Sequence, residues 1–243
     1  LNFEIDFNKL EKIITNKTKA ILINFPHNPT GQMISIKNLK KFEKILNKYK
    51  KCYLISDEIY EKLNFSKHKH FSPGSLKSIR KRVITINGFS KAYAMTGWRI
   101  GYCHANKKLI NNMVKIQQHL NTNVPTFTQI AAISAYKKKS AHLKNFNIKF
   151  FRNFKYLEKK ISKYKIINFN KSYGGLFVFI GIKKTGLNSD VFCSKILKQF
   201  SVAITPGSYF GKEWKYHIRI SLAQNINTFK KAINFLKDFL DKI

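Results

Sequence analysis

The stretch Lys19–Gly31, KAILINFPHNPTG, is an apolar run that stops abruptly in a cluster of turn formers. Apolar side chains on both faces of a short segment suit a strand inside a parallel sheet. Pro26, Asn28, Pro29 and Gly31 then end it, because proline and glycine break ladder pairing and Asn-Pro starts a turn. Ser35 follows as a helix cap, ahead of Ile36, Leu39, Phe42, Leu46 and Tyr49 at three- and four-residue spacing. The runs Cys52–Ile55 and Val83–Ile86 repeat the two-sided apolar, β-branched character, and Ile100–Ala105 adds a further candidate. Strand, loop, helix and strand in alternation predict an α/β domain on a mostly parallel sheet.

Helices are predicted at Leu109–Leu120 and Pro125–Tyr136. From Ser140 the pattern changes: Leu143, Phe146, Phe150, Phe154, Leu157, Ile161 and Tyr164 lie on one face of a long helix leading away from the sheet. Strands are then expected at Leu176–Ile182, Val202–Thr205 and Tyr216–Ala223, with helices at Ser189–Phe200 and Asn227–Leu240. The division this gives is a large domain over residues 1–150 and a smaller α+β domain over 151–243. The chain begins at Leu1 and enters a strand and loop almost at once, and the reading is of a sequence whose start is missing.

Composition narrows the function classes. The 243 residues are 44% hydrophobic, enough for a sizeable core. No stretch reaches the roughly 18 uncharged apolar residues of a membrane span, and no secretory pattern opens the chain, so the expected address is the cytoplasm, with no membrane partner. Three cysteines, far apart and without CxxC spacing, suggest buried small residues and not a disulfide framework or zinc site. The formal charge of +34 would by itself point to a polyanion. Yet only five of the 46 basic residues are arginine, and Lys, Asn, Ile and Phe abound everywhere, as AT-rich codons would write them. The charges form no stripe, so specific nucleic-acid binding is not expected.

The polar residues at strand ends carry more. In an open parallel sheet the carboxyl ends of successive strands line a ligand crevice, and Asn28, Asp57 with Tyr60, and Lys91 all fall at such ends. An amide, a carboxylate, a phenol and an amine are costly to bury together unless they share a polar ligand. Each has a plainer reading as a turn former or solvated charge. Arg80, Arg82 and Arg152 are read as solvated, and His68 and His70, in a lysine-rich loop, are not expected to hold metal.

The run Gly88-Phe89-Ser90-Lys91-Ala92-Tyr93-Ala94-Met95-Thr96-Gly97-Trp98-Arg99-Ile100-Gly101 resembles the cofactor-lysine signature of class I pyridoxal-phosphate-dependent aminotransferases. Upstream, Phe25–Gly31 and Ser56-Asp57-Glu58-Ile59-Tyr60 resemble landmarks of the same family. Downstream, Gly174-Gly175-Leu176-Phe177, Pro206-Gly207 and Ile218-Arg219-Ile220-Ser221 do so too. The resemblance covers essentially the whole chain. It implies the type I fold of pyridoxal-phosphate-dependent transferases and a homodimer.

The resemblance also implies roles. Lys91 would carry pyridoxal 5'-phosphate as a Schiff base and shuttle the substrate proton. Asp57 would keep the pyridine nitrogen protonated. Asn28 and Tyr60 would bond the ring's phenolic oxygen, and Asn28 would also touch substrate. Arg99 would bind the phosphate and Arg219 the substrate α-carboxylate. Gly88 departs from relatives that carry a phosphate-binding serine there. The GWRIGY wording resembles a subgroup with many bacterial aspartate aminotransferases, implying transfer from aspartate to 2-oxoglutarate. The alternatives are the same chemistry on aromatic, prephenate-type, alanine or diaminopimelate-type substrates, or a non-catalytic basic remnant of the fold.

Overall fold

The computed structural model of the protein describes residues 3–138 and 141–243. Asp6 caps the first helix, α1 (Phe7–Ile13), by accepting from the Lys9 N–H at 3.0 Å. The sequence predicts no helix there. Two turns are too few to show a period, and what holds α1 is tertiary: Phe7 packs edge-on against Phe42 at 5.0 Å. Strands β1 (Ala20–Asn24), β2 (Tyr53–Asp57) and β3 (Val83–Gly88) lie parallel in that order, and β4 (Gly101–His104) pairs antiparallel with β3.

Helix α2 (Ile36–Lys48) connects β1 to β2. Ser35 caps it as expected, accepting from Asn38 N–H at 3.1 Å. Its apolar stripe, Leu39, Phe42, Ile45 and Leu46, is buried with Ile23, Leu54 and Val83 in one core. Arg82 is not a solvated charge. It is half-buried, and its guanidinium donates to the carbonyls of Leu46 and Tyr49, closing the C-terminal end of α2 where carbonyls lack helical partners.

The two-sided burial expected of the strands is found on one face only. Leu22 of β1 is 67% exposed, Ile86 of β3 is exposed, and no described element covers that side. Helix α3 (Lys107–Asn121) buries no residue and α4 (Thr126–Lys137) buries Thr128 and Ala132, leaving Phe127, Ile130, Ile133 and Tyr136 exposed.

Helix α5 (Ala141–Ile161) runs unbroken across residue 150 into the second unit. Its expected start at Ser140 lies outside the described residues, and it stops short of Tyr164. The second sheet is antiparallel, in the order β5 (Asn168–Phe169), β6 (Phe177–Gly181), β8 (His217–Ser221), β7 (Thr205–Pro206). The strand expected at Val202–Thr205 is thus two residues, Thr205–Pro206. Ser201 closes the preceding helix in the left-handed conformation, and the chain meets β8 only at 205. Helices α6 (Ser189–Phe200) and α7 (Ile226–Leu240) pack on this sheet with α5. Burial pushes the Cys193 thiol of α6 up to about 12, as suits an unreactive core thiol.

The second core reaches back to Tyr60 and Leu63 of the first unit. Gly31 makes the closest joint. It sits at φ +69°, its carbonyl accepts from Tyr173 and Gly174 N–H at 2.9 and 3.1 Å, and a Cβ there would overlap the Ser172 hydroxyl. No helix among the described residues is long and apolar enough to cross a membrane.

Candidate active site

The C-terminal ends of the three parallel strands are level, with Asn24 beside Asp57 and Asp57 beside Ile86. Asn24 organises the loop that follows. Its side-chain amide donates to the Asp57 carbonyl at 3.1 Å, and its Oδ1 accepts from Asn28 N–H at 2.9 Å, which sets Asn28 at the mouth of the cleft.

Asp57 is half-buried, and its carboxylate accepts one hydrogen bond among the described residues, from Ile59 N–H at 3.1 Å. Burial pushes its carboxyl above the ordinary value. The Ile59 N–H opposes this shift, and the neighbouring Glu58 charge adds to it. A turn then brings Tyr60 under the second sheet, 5% exposed and edge-on to Phe177 at 5.9 Å. Burial raises its phenol, the Arg219 cation pulls it back, and Asp57 adds to the rise, so the three groups share one field.

Arg219 projects from β8. Its Nη1 donates to Asn28 Oδ1 at 2.9 Å and Nη2 to Thr205 Oγ1 at 3.2 Å. The guanidinium lies 4.2 Å over the Phe177 ring and 5.0 Å from that of Phe210. Its Nε is buried without a partner, and it forms no salt bridge among the described residues. Burial lowers its pKa, with Tyr60 countering.

Beyond β3 the chain turns at once. Gly88 lies flush on the start of β4, where a Cβ would come within 3.1 Å of Gly101 Cα. Lys91 is on that turn, partly exposed, its carbonyl accepting from Ala94 N–H at 3.4 Å and its amine without a hydrogen bond among the described residues. Arg99 closes the following 96–98 turn at φ +49°, exposed, donating to the Thr96 carbonyl at 2.9 Å. The fold therefore gathers Asn28, Asp57, Tyr60 and Arg219 around one cleft. Lys91 and Arg99 sit on the adjoining loop, with no direct bond to those four.

Sequence reasoning passed over several neighbours: Asn24, Thr205 and Phe210, and a buried Glu58 held by His70 and Ser72. Ligand atoms of Glu58, Glu61 and His70 lie within 4.8 Å of one another, but both Glu58 oxygens are already bonded. A cavity of about 480 Å³ has Asn28, Phe179, Phe210 and Trp214 among its walls, and of these Asn28 and Phe210 contact Arg219.

The chain as a whole is similar to known proteins. The sequence profile described as "Aminotransferase class I and II" matches residues 1–236. An aspartate aminotransferase of Pyrococcus abyssi is 35% identical over 98% of this chain and 61% of its own length. The (5-formylfuran-3-yl)methyl phosphate transaminase of Methanocaldococcus jannaschii is 39% identical over 96% of this chain and 60% of its own. The crystal structure of an aromatic aminotransferase from Pyrococcus horikoshii superposes with a TM-score of 0.94 at 34% identity, covering 99% of this chain and 65% of that one. The chain thus spans about three-fifths of the length of these curated relatives. It belongs to the class I and II aminotransferases.

Proposed function

We propose that this chain supplies the cofactor-facing and carboxylate-binding part of an aminotransferase that moves an amino group between an L-amino acid and a 2-oxo acid. The observation that carries the reading is Arg219. A guanidinium drawn out of water with Nε orphaned and no carboxylate against it is expensive. The α-carboxylate of an amino acid would offset that cost through the planar fork of its donors.

The residues present also fit pyridoxal phosphate. Asp57 has a carboxylate oxygen with no donor among the described residues, at a strand end, where a protonated ring nitrogen would relieve its burial. Lys91, on the adjoining loop, has an amine with no hydrogen bond to break. When bound, the cofactor supplies an electron sink for the bond cleaved at the substrate Cα. Lys91 Nζ would be the group to take and return the Cα proton, and Asp57 would pair with the ring nitrogen and favour its protonated form. Tyr60 and Asn28 present a phenol and an amide to the ring's oxygen, while Asn28 steers Arg219. Arg99 on its exposed turn offers a bidentate cation to the phosphate. A cytoplasmic homodimer is the expected setting, and the exposed apolar residues of α3 and α4 offer a surface for a second copy.

The GWRIGY wording and the aspartate aminotransferase relative favour aspartate and 2-oxoglutarate as the substrate pair. The aromatic walls of the cavity that Asn28 lines favour a second reading, an aromatic amino acid as donor. The full-length protein, supplied with pyridoxal phosphate and 2-oxoglutarate, should form glutamate faster from L-aspartate than from L-phenylalanine. The reverse order selects the second reading, and no glutamate from any amino acid removes both.

A further inference from the structure

Glu58 follows Asp57 in sequence but serves a different surface. Asp57 ends β2 half-buried, and Glu58, the next residue, is 1% exposed. So buried a carboxylate is costly unless its lone pairs are taken. Both oxygens are taken: Oε2 lies 2.8 Å from His70 Nε2, and Oε1 accepts from Ser72 Oγ at 2.7 Å. These partners belong to an irregular loop whose Lys67 and Lys69 are exposed. Ser72 in turn caps the short 73–75 helix by accepting from Gly74 N–H. The backbone of Glu58 is tied as well. Its N–H donates to the Ile86 carbonyl of β3 at 2.8 Å, and its carbonyl accepts from Glu61 N–H at 2.8 Å, opening the turn that carries Tyr60. One residue joins β3, the 64–76 loop and the 57–63 turn.

We propose that Glu58, gripped by His70 and Ser72, is the positioning residue of this site, anchoring the strand end and turn that aim Asp57 and Tyr60 at the cofactor ring. The proposal rests on the reading of Asp57 as the partner of the ring nitrogen. Anchor and charge act in different ways on Asp57. The anchor fixes where its carboxylate points, whereas the Glu58 charge, with Glu61 as the next acid on the turn, helps push that carboxyl up. Glu58→Gln separates the two, because an amide can still bond both His70 and Ser72 while carrying no charge.

The test uses the full-length protein with pyridoxal phosphate as the probe. Glu58→Ala should speed amide exchange across residues 64–76 and weaken pyridoxal phosphate binding, each by about tenfold, the scale expected when hydrogen bonds to a buried charge are lost. Glu58→Gln should bring the affinity back to within about threefold of the parent. In that variant the Asp57 carboxyl, followed by NMR in cofactor-free protein, should titrate at lower pH. If Glu58→Ala does not fold, His70→Ala and Ser72→Ala, each removing one grip, should give the same signs at smaller size. Unchanged affinity and exchange in these variants would overturn the proposal, as would a Glu58→Gln variant that binds no better than Glu58→Ala. Asp57→Asn is the control. If it leaves affinity untouched, the underlying reading of Asp57 fails and the positioning role falls with it. If it acts while the Glu58 variants do not, the positioning role alone is lost.

Discussion

Strand β6 of the second sheet is buried at every residue, whereas β1 and β3 of the first are covered on one face, although all three read as apolar runs. Helices α5, α6 and α7 close the second core, and side chains such as Phe192 are fully enclosed, edge-on to Phe239 at 5.0 Å. In the first unit α1 and α2 cover one side and leave Leu22 to solvent. The same composition therefore makes a finished core in one place and half a core in the other. What differs is whether the chain supplies a second layer.

The largest effect should come from probing that difference. Phe192→Ala should cost about 3–5 kcal/mol by chemical denaturation, as for an aromatic removed from a closed core. Leu22→Ala in the 243-residue chain should stay within about 0.5 kcal/mol. A Leu22 cost approaching that of Phe192 would show the two regions to be equally closed.

Next in size is Arg219→Lys, at the seam between the regions. Lysine keeps the charge but cannot hold Asn28 and Thr205 while also gripping a carboxylate. We expect kcat/KM to fall roughly 30-fold, about 2 kcal/mol, with cofactor affinity nearly unchanged. Steady-state kinetics beside a cofactor titration check this, and loss of cofactor with substrate binding intact would contradict the role.

The smallest effect concerns Asp57 in cofactor-free protein. Folding raises its carboxyl above the unfolded value, so ionising it costs the folded state more than the unfolded one. That penalty is absent below the unfolded carboxylate range near pH 4, grows as pH rises through it, and is complete above the folded value. Asp57→Asn should therefore raise Tm at pH 7 by up to about 2 °C and lose this gain near pH 4. Scanning calorimetry showing a gain that increases toward acid would reverse the sign assigned here.

Much of this fold is legible in local pattern. The helix capped by Ser35, the strands through Leu22, Leu54 and Thr85, and the long α5 each follow from period, cap and turn chemistry. Helix α1 is not legible, because two turns show no period and Phe42 holds it from 35 residues away. The bare face of β1 and β3 is not legible either, since an apolar residue on a strand says nothing about what covers it. In the cleft, strand-end position singles out Asn28, Asp57, Tyr60 and Lys91, while the particular role of Lys91 among 41 lysines comes from resemblance. The partners of those residues are tertiary. Thr205 and Phe210 reach Arg219 through the second sheet, and His70 and Ser72 reach Glu58 across a loop, pairings that no local spacing encodes.

Lys91 bears the central claim. Reducing the full-length protein with borohydride in the presence of pyridoxal phosphate should fix the label on one peptide, at Lys91. The other 40 lysines, several on the same exposed surfaces, serve as internal controls for non-specific reaction. A label confined to Lys91 and lost when L-amino acid is added before the reductant is the predicted result. A label spread over surface lysines, or one that persists at another position in Lys91→Ala, would contradict it.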